Sequence, residues 1–313
     1  MAHAIAYSEF GGPDVLDLID IPTPVPGPGE IAIEVEAAGV NLIDWKLRTG
    51  LRASDPLTEP RRLGADGAGI VTAIGEGVSG FRPGDAVVFF GASGAYASDL
   101  VVPWGRVLPR PANVSAAEGA ALGIPVGTAY QALRSLHVGG GDTLLLHGGS
   151  GAVGQAAIQY AVLWGARVIA TSSPRRFERV RALGAEPVAY GDGLADRVRA
   201  LAPDGVTVAI DAAGTDEALQ TSLELVADRG RIATLVRGRD AAGLGIRAFS
   251  GGGPRPLTAQ EQAWRAEAMP VTLALMASGR FSVETGPSFA LADAPAAHRA
   301  VQDGADGKVT LVP

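Results

Sequence analysis

The sequence predicts an α/β protein in which a mainly β part precedes a doubly wound parallel sheet. Up to about residue 120, short apolar segments are separated by Pro/Gly-rich turns. From about Pro125 onward, strand-like and helix-like segments alternate. Such alternation indicates βαβ units, which build a parallel sheet with helices on both faces. The length of 313 residues also favours two domains.

The first part has the signals of short strands and one short helix. The strands are expected at His3–Ser8, Val15–Ile21, Ile31–Ala37, Gly69–Ile74 and Ala86–Phe90, with a helix at Leu42–Arg48. The stretch Gly75-Glu-Gly-Val-Ser-Gly80 matches G-x-G-x-x-G, but Pro83 and Gly84 follow and prevent a helix from starting. We therefore interpret this copy as a turn.

The second part is expected to contain five strands with helices between them. The strands are Thr143–His147, Arg167–Thr171, Val188–Tyr190, Val206–Asp211 and Arg231–Val236. The helices are Thr128–Leu136, Gly151–Trp164, Arg175–Leu183, Leu194–Leu201 and Asp216–Ala227. After a break near Gly251–Pro256, a long helix is expected at roughly Thr258–Gly279, followed by strand, helix and strand in Phe281–Pro313. The expected boundaries are 1–122, 123–264 and 265–313, the last segment returning to the first domain.

Composition excludes several classes of function. The net charge of −7 argues against nucleic acid as a partner, because phosphate binding needs a basic surface. The chain has no cysteine, and His3, His137, His147 and His298 are scattered, so a metal site is not expected. The first residues do not resemble a signal peptide, and no apolar run is long enough to cross a bilayer. We expect a cytoplasmic protein that has no membrane partner.

The stretch Gly149-Ser-Gly-Ala-Val-Gly154 predicts a dinucleotide site. A strand leads into it and a helix leads out, which is the setting of the Rossmann phosphate loop. In this setting Gly149 allows the tight turn, Gly151 lets the backbone approach the pyrophosphate, and Gly154 lets the helix pack on the strand. The helix N-terminus supplies free N–H groups to the phosphates.

The end of the second strand of this unit favours NADP(H) over NAD(H). A site for NAD carries a carboxylate there, about 20 residues beyond the loop. This chain has Ser172, Ser173, Arg175 and Arg176, and the first carboxylate is Glu178. Hydroxyl and guanidinium groups suit a 2′-phosphate. The alternative is that Ser-Pro only starts a helix and that the arginines are ordinary surface residues.

Several stretches in order resemble the medium-chain dehydrogenase/reductase superfamily, in its zinc-free quinone oxidoreductase branch. They are Gly39–Asp44, Leu63–Gly69, Gly84-Asp85, Gly127–Tyr130, His147–Gly154, Leu183–Ala185, Gly230-Arg231 and Gly307-Lys308. The resemblance implies a GroES-like mainly β domain joined to a Rossmann domain, and a homodimer. The zinc alcohol dehydrogenases of this superfamily have a catalytic cysteine at the position of Asn41 and a metal-binding histidine at the position of Ala65.

The resemblance also suggests site residues. The candidate catalytic residues are Asn41, Asp44 and Lys46. Asn41 is implied to lie beside the nicotinamide, but it can equally cap the following helix. Asp44 can instead pair with Arg48 at i,i+4, and Lys46, which replaces the tyrosine frequent in relatives, can be an ordinary solvated lysine. Asn41 is also a candidate cofactor-binding residue, as are Ser172, Ser173, Arg175 and Arg176 at the expected 2′-phosphate site. The other candidates for cofactor binding are Thr128, Ser150, Gly151, Ala152, Val153, Gly154, Tyr190, Leu235, Val236, Phe249, Ser250 and Lys308.

The expected function is therefore hydride transfer from NADPH to a quinone or an α,β-unsaturated carbonyl, without a metal. The cofactor carries the chemistry, so few catalytic side chains are needed. Two alternatives remain from the sequence. One is a reductase of 2-enoyl or alkenal substrates, and the other is an NADPH-binding protein without turnover.

Overall fold

The structure, a computed structural model, describes residues 1–52, 56–249 and 256–313. The chain divides into two compact units. Unit 1 contains Met1–Ile124 and Pro270–Pro313, and unit 2 contains Pro125–Met269. Unit 1 is therefore assembled from the two ends of the sequence, and unit 2 from the segment between them.

The described residues form sixteen strands. In chain order they are β1 Ala2–Tyr7, β2 Asp17–Ile21, β3 Glu30–Gly39, β4 Arg61–Arg62, β5 Asp66–Ile74, β6 Ala86–Phe89, β7 Asp99–Pro103, β8 Val107–Pro109, β9 Thr143–His147, β10 Arg167–Ser172, β11 Glu186–Ala189, β12 Val208–Asp211, β13 Ile232–Thr234, β14 Arg247–Ala248, β15 Thr285–Ala290 and β16 Lys308–Val312.

The same residues form ten α-helices. In chain order they are α1 Leu42–Arg48, α2 Ala116–Ala120, α3 Gly123–Ser135, α4 Ala152–Leu163, α5 Phe177–Ala182, α6 Leu194–Leu201, α7 Asp216–Leu225, α8 Ala241–Leu244, α9 Ala259–Ala277 and α10 Ala294–Gln302. None of the helices in this part of the chain is both long and apolar enough to cross a membrane.

Unit 1 is built on two sheets. A seven-stranded sheet has the order β15-β16-β3-β5-β6-β8, with β7 paired to β3, and a smaller sheet has the order β2-β1-β4. Apolar side chains from both, such as Ile5, Ile33, Phe89 and Leu311, form one buried core. The C-terminal strand β16 pairs with β3, which brings the end of the chain next to the loop before α1.

Unit 2 is a six-stranded sheet with the order β11-β10-β9-β12-β13-β14, and every pair in it is parallel. The strands β9 and β12 are almost entirely buried, as expected for strands covered on both faces. The chain order reverses between β9 and β12. In doubly wound sheets, this reversal point is where the ligand binds, beyond the carboxyl ends of the strands. The predicted fold class is therefore confirmed.

The differences from the predicted elements are local. The sequence did not indicate the short strands β4, β7, β8 and β14 or the short helices α2 and α8. The helix expected at Arg175–Leu183 begins as a 3₁₀ turn at Pro174–Arg176, and only Phe177–Ala182 is α-helical. The stretch Gly75–Gly80 is a turn with left-handed backbone at Gly77 and Gly80, as predicted.

Candidate active site

Five buried polar side chains of unit 1 are connected in one group, which we call the Asn41 cluster. Its members are Asn41, Asp44, Asp66, Tyr96 and Lys308, and each is at most 6% exposed. They come from five places in the chain: the loop before α1, α1 itself, the first residue of β5, the loop before β7, and the first residue of β16. The pairing of β16 with β3 places Lys308 beside Asn41.

Asp44 is tied to both the start of its helix and a distant tyrosine. Its Oδ2 accepts the backbone N–H of Asn41 at 2.8 Å and the hydroxyl of Tyr96 at 2.7 Å. The alternative in which Asp44 pairs with Arg48 at i,i+4 is wrong. The Arg48 side chain is buried, and its guanidinium has no hydrogen-bond partner among the described residues. Asp44 therefore accepts a hydrogen bond from Tyr96 and forms no ion pair with Arg48 along the helix.

The Asn41 amide is held at both ends. Its Nδ2 donates to Asp66 Oδ2 at 3.0 Å and, at 3.4 Å, to the carbonyl oxygen of Gly39, while its Oδ1 accepts from Lys308 Nζ. Asp66 Oδ2 also accepts the backbone N–H of Ile124 at 2.8 Å. Both ends of the Asn41 amide are thus engaged within unit 1.

Burial dominates the electrostatics of the cluster. It raises the pKa of Asp44 from 3.8 to about 6, although the Asn41 N–H, the Tyr96 hydroxyl and Lys308 all lower it. Burial also raises the pKa of Asp66 and that of Tyr96. It lowers the pKa of Lys308 from 10.5 to about 8, against the attraction of Asp66 and Asp44. A pKa near neutrality lets Asp44 and Lys308 change charge within the working range of an enzyme.

Lys46 lies outside this cluster. Its side chain is half-buried and makes no hydrogen bond or ion pair with the described part of the chain. His147 is not part of the Asn41 cluster either. It is buried, contacts Ser222 Oγ at 3.1 Å, and has its pKa lowered to about 4 by burial. In the described ranges, no group of three or more His, Cys, Asp or Glu residues could hold a metal ion.

The phosphate loop of unit 2 follows β9, the strand at which the sheet order reverses. The N-terminus of α4 is exposed at Gly151 and Ala152. The first three N–H groups of the helix, from Ala152 to Gly154, have no acceptor within the helix, as in any α-helix. The loop is fixed to the end of β10, because Gly149 N–H donates to Thr171 O at 2.9 Å. These groups fit a pyrophosphate, which needs N–H donors and a positive dipole end.

The glycines of the loop have distinct reasons to lack a side chain. The left-handed backbone is at Gly148 and not at Gly149, whose Cβ would instead meet Ala170 Cβ at 2.6 Å. A Cβ on Gly154 would lie 2.2 Å from Gly148 O, so this residue allows the helix to pack closely. A Cβ on Gly151 would have one neighbour, at 3.6 Å. Gly151 therefore has free space in front of it, which a phosphate could approach.

The residues expected around the 2′-phosphate and the adenine lie at the ends of β10 and β11. Ser172 is buried at the end of β10, Ser173 follows it, Arg175 is exposed and Arg176 is half-buried. No carboxylate lies at this strand end, and Glu178 pairs with Arg181. Tyr190, directly after β11, is 60% exposed and is therefore not a core residue.

The remaining predicted cofactor residues lie at the ends of β13 and β14 and in α3. Leu235 is half-buried, Val236 is exposed and Phe249 is buried under the guanidinium of Arg247. Thr128 Oγ1 accepts from Arg265 at 2.8 Å. Ser250 lies outside the described residues.

The sequence analysis missed two sets of polar residues. Asp66 and Tyr96 complete the Asn41 cluster, and Asp211 and Thr234 organise the loops after β12 and β13. Asp211 accepts the N–H groups of Ala213 and Gly214 and the hydroxyl of Thr234. Thr234 Oγ1 accepts the N–H of Val236 at 3.2 Å, and this bond fixes the loop that carries two of the predicted residues. An Asp at the end of an apolar strand, before Ala-Ala-Gly, is a signal that could have identified Asp211.

Comparison with known proteins gives consistent matches. Residues 27–112 match the family model described as an alcohol dehydrogenase GroES-like domain, and residues 152–244 match the one described as a zinc-binding dehydrogenase. A quinone oxidoreductase from Pongo abelii is 38% identical over 183 residues, which is 58% of this chain and 55% of that protein. The alignment thus spans little more than half of that relative.

Two further matches extend over almost the whole chain. The Escherichia coli quinone oxidoreductase, solved in complex with NADPH, is 27% identical with a TM-score of 0.85, over 99% of this chain and 100% of that one. A quinone oxidoreductase from Pseudomonas aeruginosa is 34% identical over 316 aligned residues, covering 95% of both chains. This chain therefore belongs to the medium-chain dehydrogenase/reductase superfamily, in its quinone oxidoreductase branch.

Proposed function

We propose that this protein catalyses hydride transfer from NADPH to quinones or α,β-unsaturated carbonyls without a metal. The observation that carries the proposal is the exposed N-terminus of α4 behind the Gly148–Gly154 loop, at the reversal point of the sheet. Relatives that align over nearly the full chain are named quinone oxidoreductases, and one was solved with NADPH. Both facts support the same reaction class.

The preference for NADPH is supported by the end of β10. Ser172, Ser173, Arg175 and Arg176 follow this strand, and the nearest carboxylate, Glu178, is engaged with Arg181. Arginine binds a phosphate in a charge-assisted and often bidentate manner, whereas a carboxylate would repel it. The pyrophosphate would bind the N–H groups of Ala152, Val153 and Gly154, and the exposed ring of Tyr190 would pack on the adenine.

The reaction itself requires little from the protein. Bound NADPH supplies the hydride. The protein must orient the acceptor, exclude water and offer a donor to the oxygen on which negative charge develops. The Asn41 cluster contains donor groups, and the resemblance implies that one of its members, Asn41, lies beside the nicotinamide. The absence of cysteine and the presence of Asn41 and Ala65 at positions of zinc ligands in related alcohol dehydrogenases support the metal-free part of the proposal.

The test follows NADPH absorbance with a quinone acceptor, with NADH in parallel and after chelator treatment. We expect fast loss of NADPH, slow loss of NADH and no chelator effect. The double variant R175S/R176S should weaken NADPH binding and leave NADH binding unchanged, and R229S, at an exposed arginine remote from the β10 end in sequence, is the matched control. Turnover confined to 2-alkenals, or NADPH binding without reduction of any acceptor, would overturn the quinone assignment.

A homodimer and a cytoplasmic location are also part of the proposal. Both come from the family resemblance and from the sequence. Light scattering of the purified protein tests the first, since a monomer at micromolar concentration would contradict it. Fractionation of the source cells tests the second.

A further inference from the structure

Lysine is used at only two positions in this chain. Of the 26 lysines and arginines, all but Lys46 and Lys308 are arginine. Lys46 is half-buried in α1, whereas Lys308 is 6% exposed at the start of β16. A buried ammonium is costly to keep charged, so its surroundings must compensate for the lost water.

The surroundings of Lys308 provide that compensation and fix the Asn41 amide. An ammonium can only donate and an ionised carboxylate can only accept. Since Lys308 Nζ contacts Asn41 Oδ1 and Asp66 Oδ2 lies 3.0 Å from Asn41 Nδ2, only one orientation of the amide satisfies both neighbours. The reversed amide would direct its NH₂ group at the ammonium and its oxygen at the carboxylate.

The space around these groups is closed by backbone. A Cβ on Gly39 would lie 3.0 Å from Lys308 Cε, and a Cβ on Gly123 would lie 2.0 Å from the Asp66 carboxylate. Asp66 Oδ1 is buried as well. Such a site suits a compact ammonium better than a wide, planar guanidinium. This is consistent with a lysine at this buried position in a chain whose basic residues, apart from Lys46, are otherwise arginine.

Lys308 supplies the one positive charge of the cluster, so it reduces the net charge of the two ionised carboxylates from −2 to −1. Asp44 and Asp66 are both buried, and Lys308 is the cation that lowers the pKa of each. Tyr96 donates its hydroxyl to Asp44 and contributes no positive charge. Without the ammonium, two buried carboxylates would repel each other, and Asn41 Oδ1 would lose its donor.

We propose that Lys308 is a positioning residue of the reaction: its ammonium holds the Asn41 amide in one orientation and offsets part of the negative charge of Asp66 and Asp44. The kinetic consequence rests on the proposed function, but the arrangement itself does not. Lys308 acts through Asn41, so its loss should affect turnover more than cofactor binding. Turnover should also fall when Lys308 loses its proton, because the two carboxylates then have no positive charge beside them.

The first experiment needs neither cofactor nor substrate. Lysine labelled with ¹³C at Cε gives two NMR signals in the wild-type protein, and the variant K46R assigns them. We expect Lys308 to titrate near pH 8, and D66N to lower this value further because it removes an attracting anion. D17N, at an exposed aspartate, should leave it unchanged. Titration of Lys308 above pH 10, or no response to D66N, would overturn the proposal.

The second experiment measures kinetics with a quinone acceptor. K308M should lower kcat at least about tenfold, a larger factor than the one by which it raises the Kd for NADPH. K308R keeps the positive charge at alkaline pH, but its wide guanidinium does not suit the closed site, so it should restore little activity, and that activity should persist above the pH at which the wild type declines. An unchanged kcat and pH profile in K308M would overturn the proposal. If K308M does not fold, the lysine titration of the wild type and D66N still tests the arrangement around Lys308. If the wild type reduces no acceptor, the proposed function is refuted, but the arrangement around Lys308 is not.

Discussion

Asp44→Asn isolates the energetic effect of a buried carboxylate in this protein. Both hydrogen bonds to Asp44 end on Oδ2, from the Asn41 N–H and the Tyr96 hydroxyl. An asparagine can present its amide oxygen at that place and accept both. The substitution therefore removes the charge and keeps the geometry.

The magnitude follows from the pKa. Burial raises the pKa of Asp44 from 3.8 to about 6, and each pKa unit corresponds to about 1.36 kcal/mol, so the total is about 3 kcal/mol. The folded state binds the proton more tightly than the unfolded state. This stabilisation is thus fully present below about pH 4 and is lost as the pH rises through 6. From pH 4 to pH 7, the free energy of unfolding of the wild type should fall by about 2.4 kcal/mol relative to the D44N variant, because part of the total is already lost at pH 4.

Urea unfolding of both proteins at several pH values between 4 and 8 is the assay. Asp66 is present in both, so its own titration largely cancels in the difference. D17N, at an exposed aspartate, should follow the wild type at every pH. Parallel curves for the wild type and D44N would refute the reasoning, because Asp44 would then titrate alike in the folded and unfolded states.

Three further predictions concern glycines and one ion pair. Gly151→Ala should keep the wild-type Tm, since its Cβ has one neighbour at 3.6 Å, yet weaken NADPH binding about tenfold in a fluorescence titration. Gly154→Ala, whose Cβ would lie 2.2 Å from a carbonyl oxygen, should lower both the Tm and the affinity for NADPH. If Gly151→Ala bound NADPH as tightly as the wild type, the assignment of the phosphate loop would be contradicted. Gly123→Ala should destabilise unit 1, as its Cβ would lie 2.0 Å from a buried carboxylate; an unchanged urea midpoint would count against this packing. Burial opposes ionisation of Asp142, but its hydrogen bonds and Arg231 lower its pKa. In urea unfolding, Asp142→Asn should therefore lower the free energy of unfolding more at pH 7 than at pH 3. An equal loss at both pH values would show that the ionised carboxylate does not stabilise the fold.

Much of the fold could be predicted because its signals are local. The bounds of α1, β9 and α6 agree with the sequence expectations, since each has a clear apolar pattern and a turn or cap on both sides. The two-residue strands β4 and β14 carry too little pattern to be recognised. They exist because a neighbouring strand, β1 or β13, offers hydrogen bonds.

The site was predictable only in part, because only some of its residues are close together in the sequence. The phosphate loop is continuous in sequence, and so are Asn41 and Asp44. Tyr96 joins Asp44 across 52 residues and Asp66 joins Asn41 across 25, and no local pattern records either contact. The sequence suggested Lys308 through the resemblance alone. Its contact with Asn41 depends on the pairing of β16 with β3.

That pairing also determines when the site can first exist during synthesis. Asn41 and Lys308 are separated by 267 positions, so the ribosome completes the whole of unit 2 before it makes β16. Until then Ala38 and Gly39 at the end of β3 lack their β16 partner, although β7 already pairs with the start of this strand, and Asp44 and Asp66 have no ammonium beside them. A nascent or truncated chain that lacks β16 can therefore form the phosphate loop, but it cannot hold the Asn41 amide. Cofactor binding should mature before turnover does as the chain emerges.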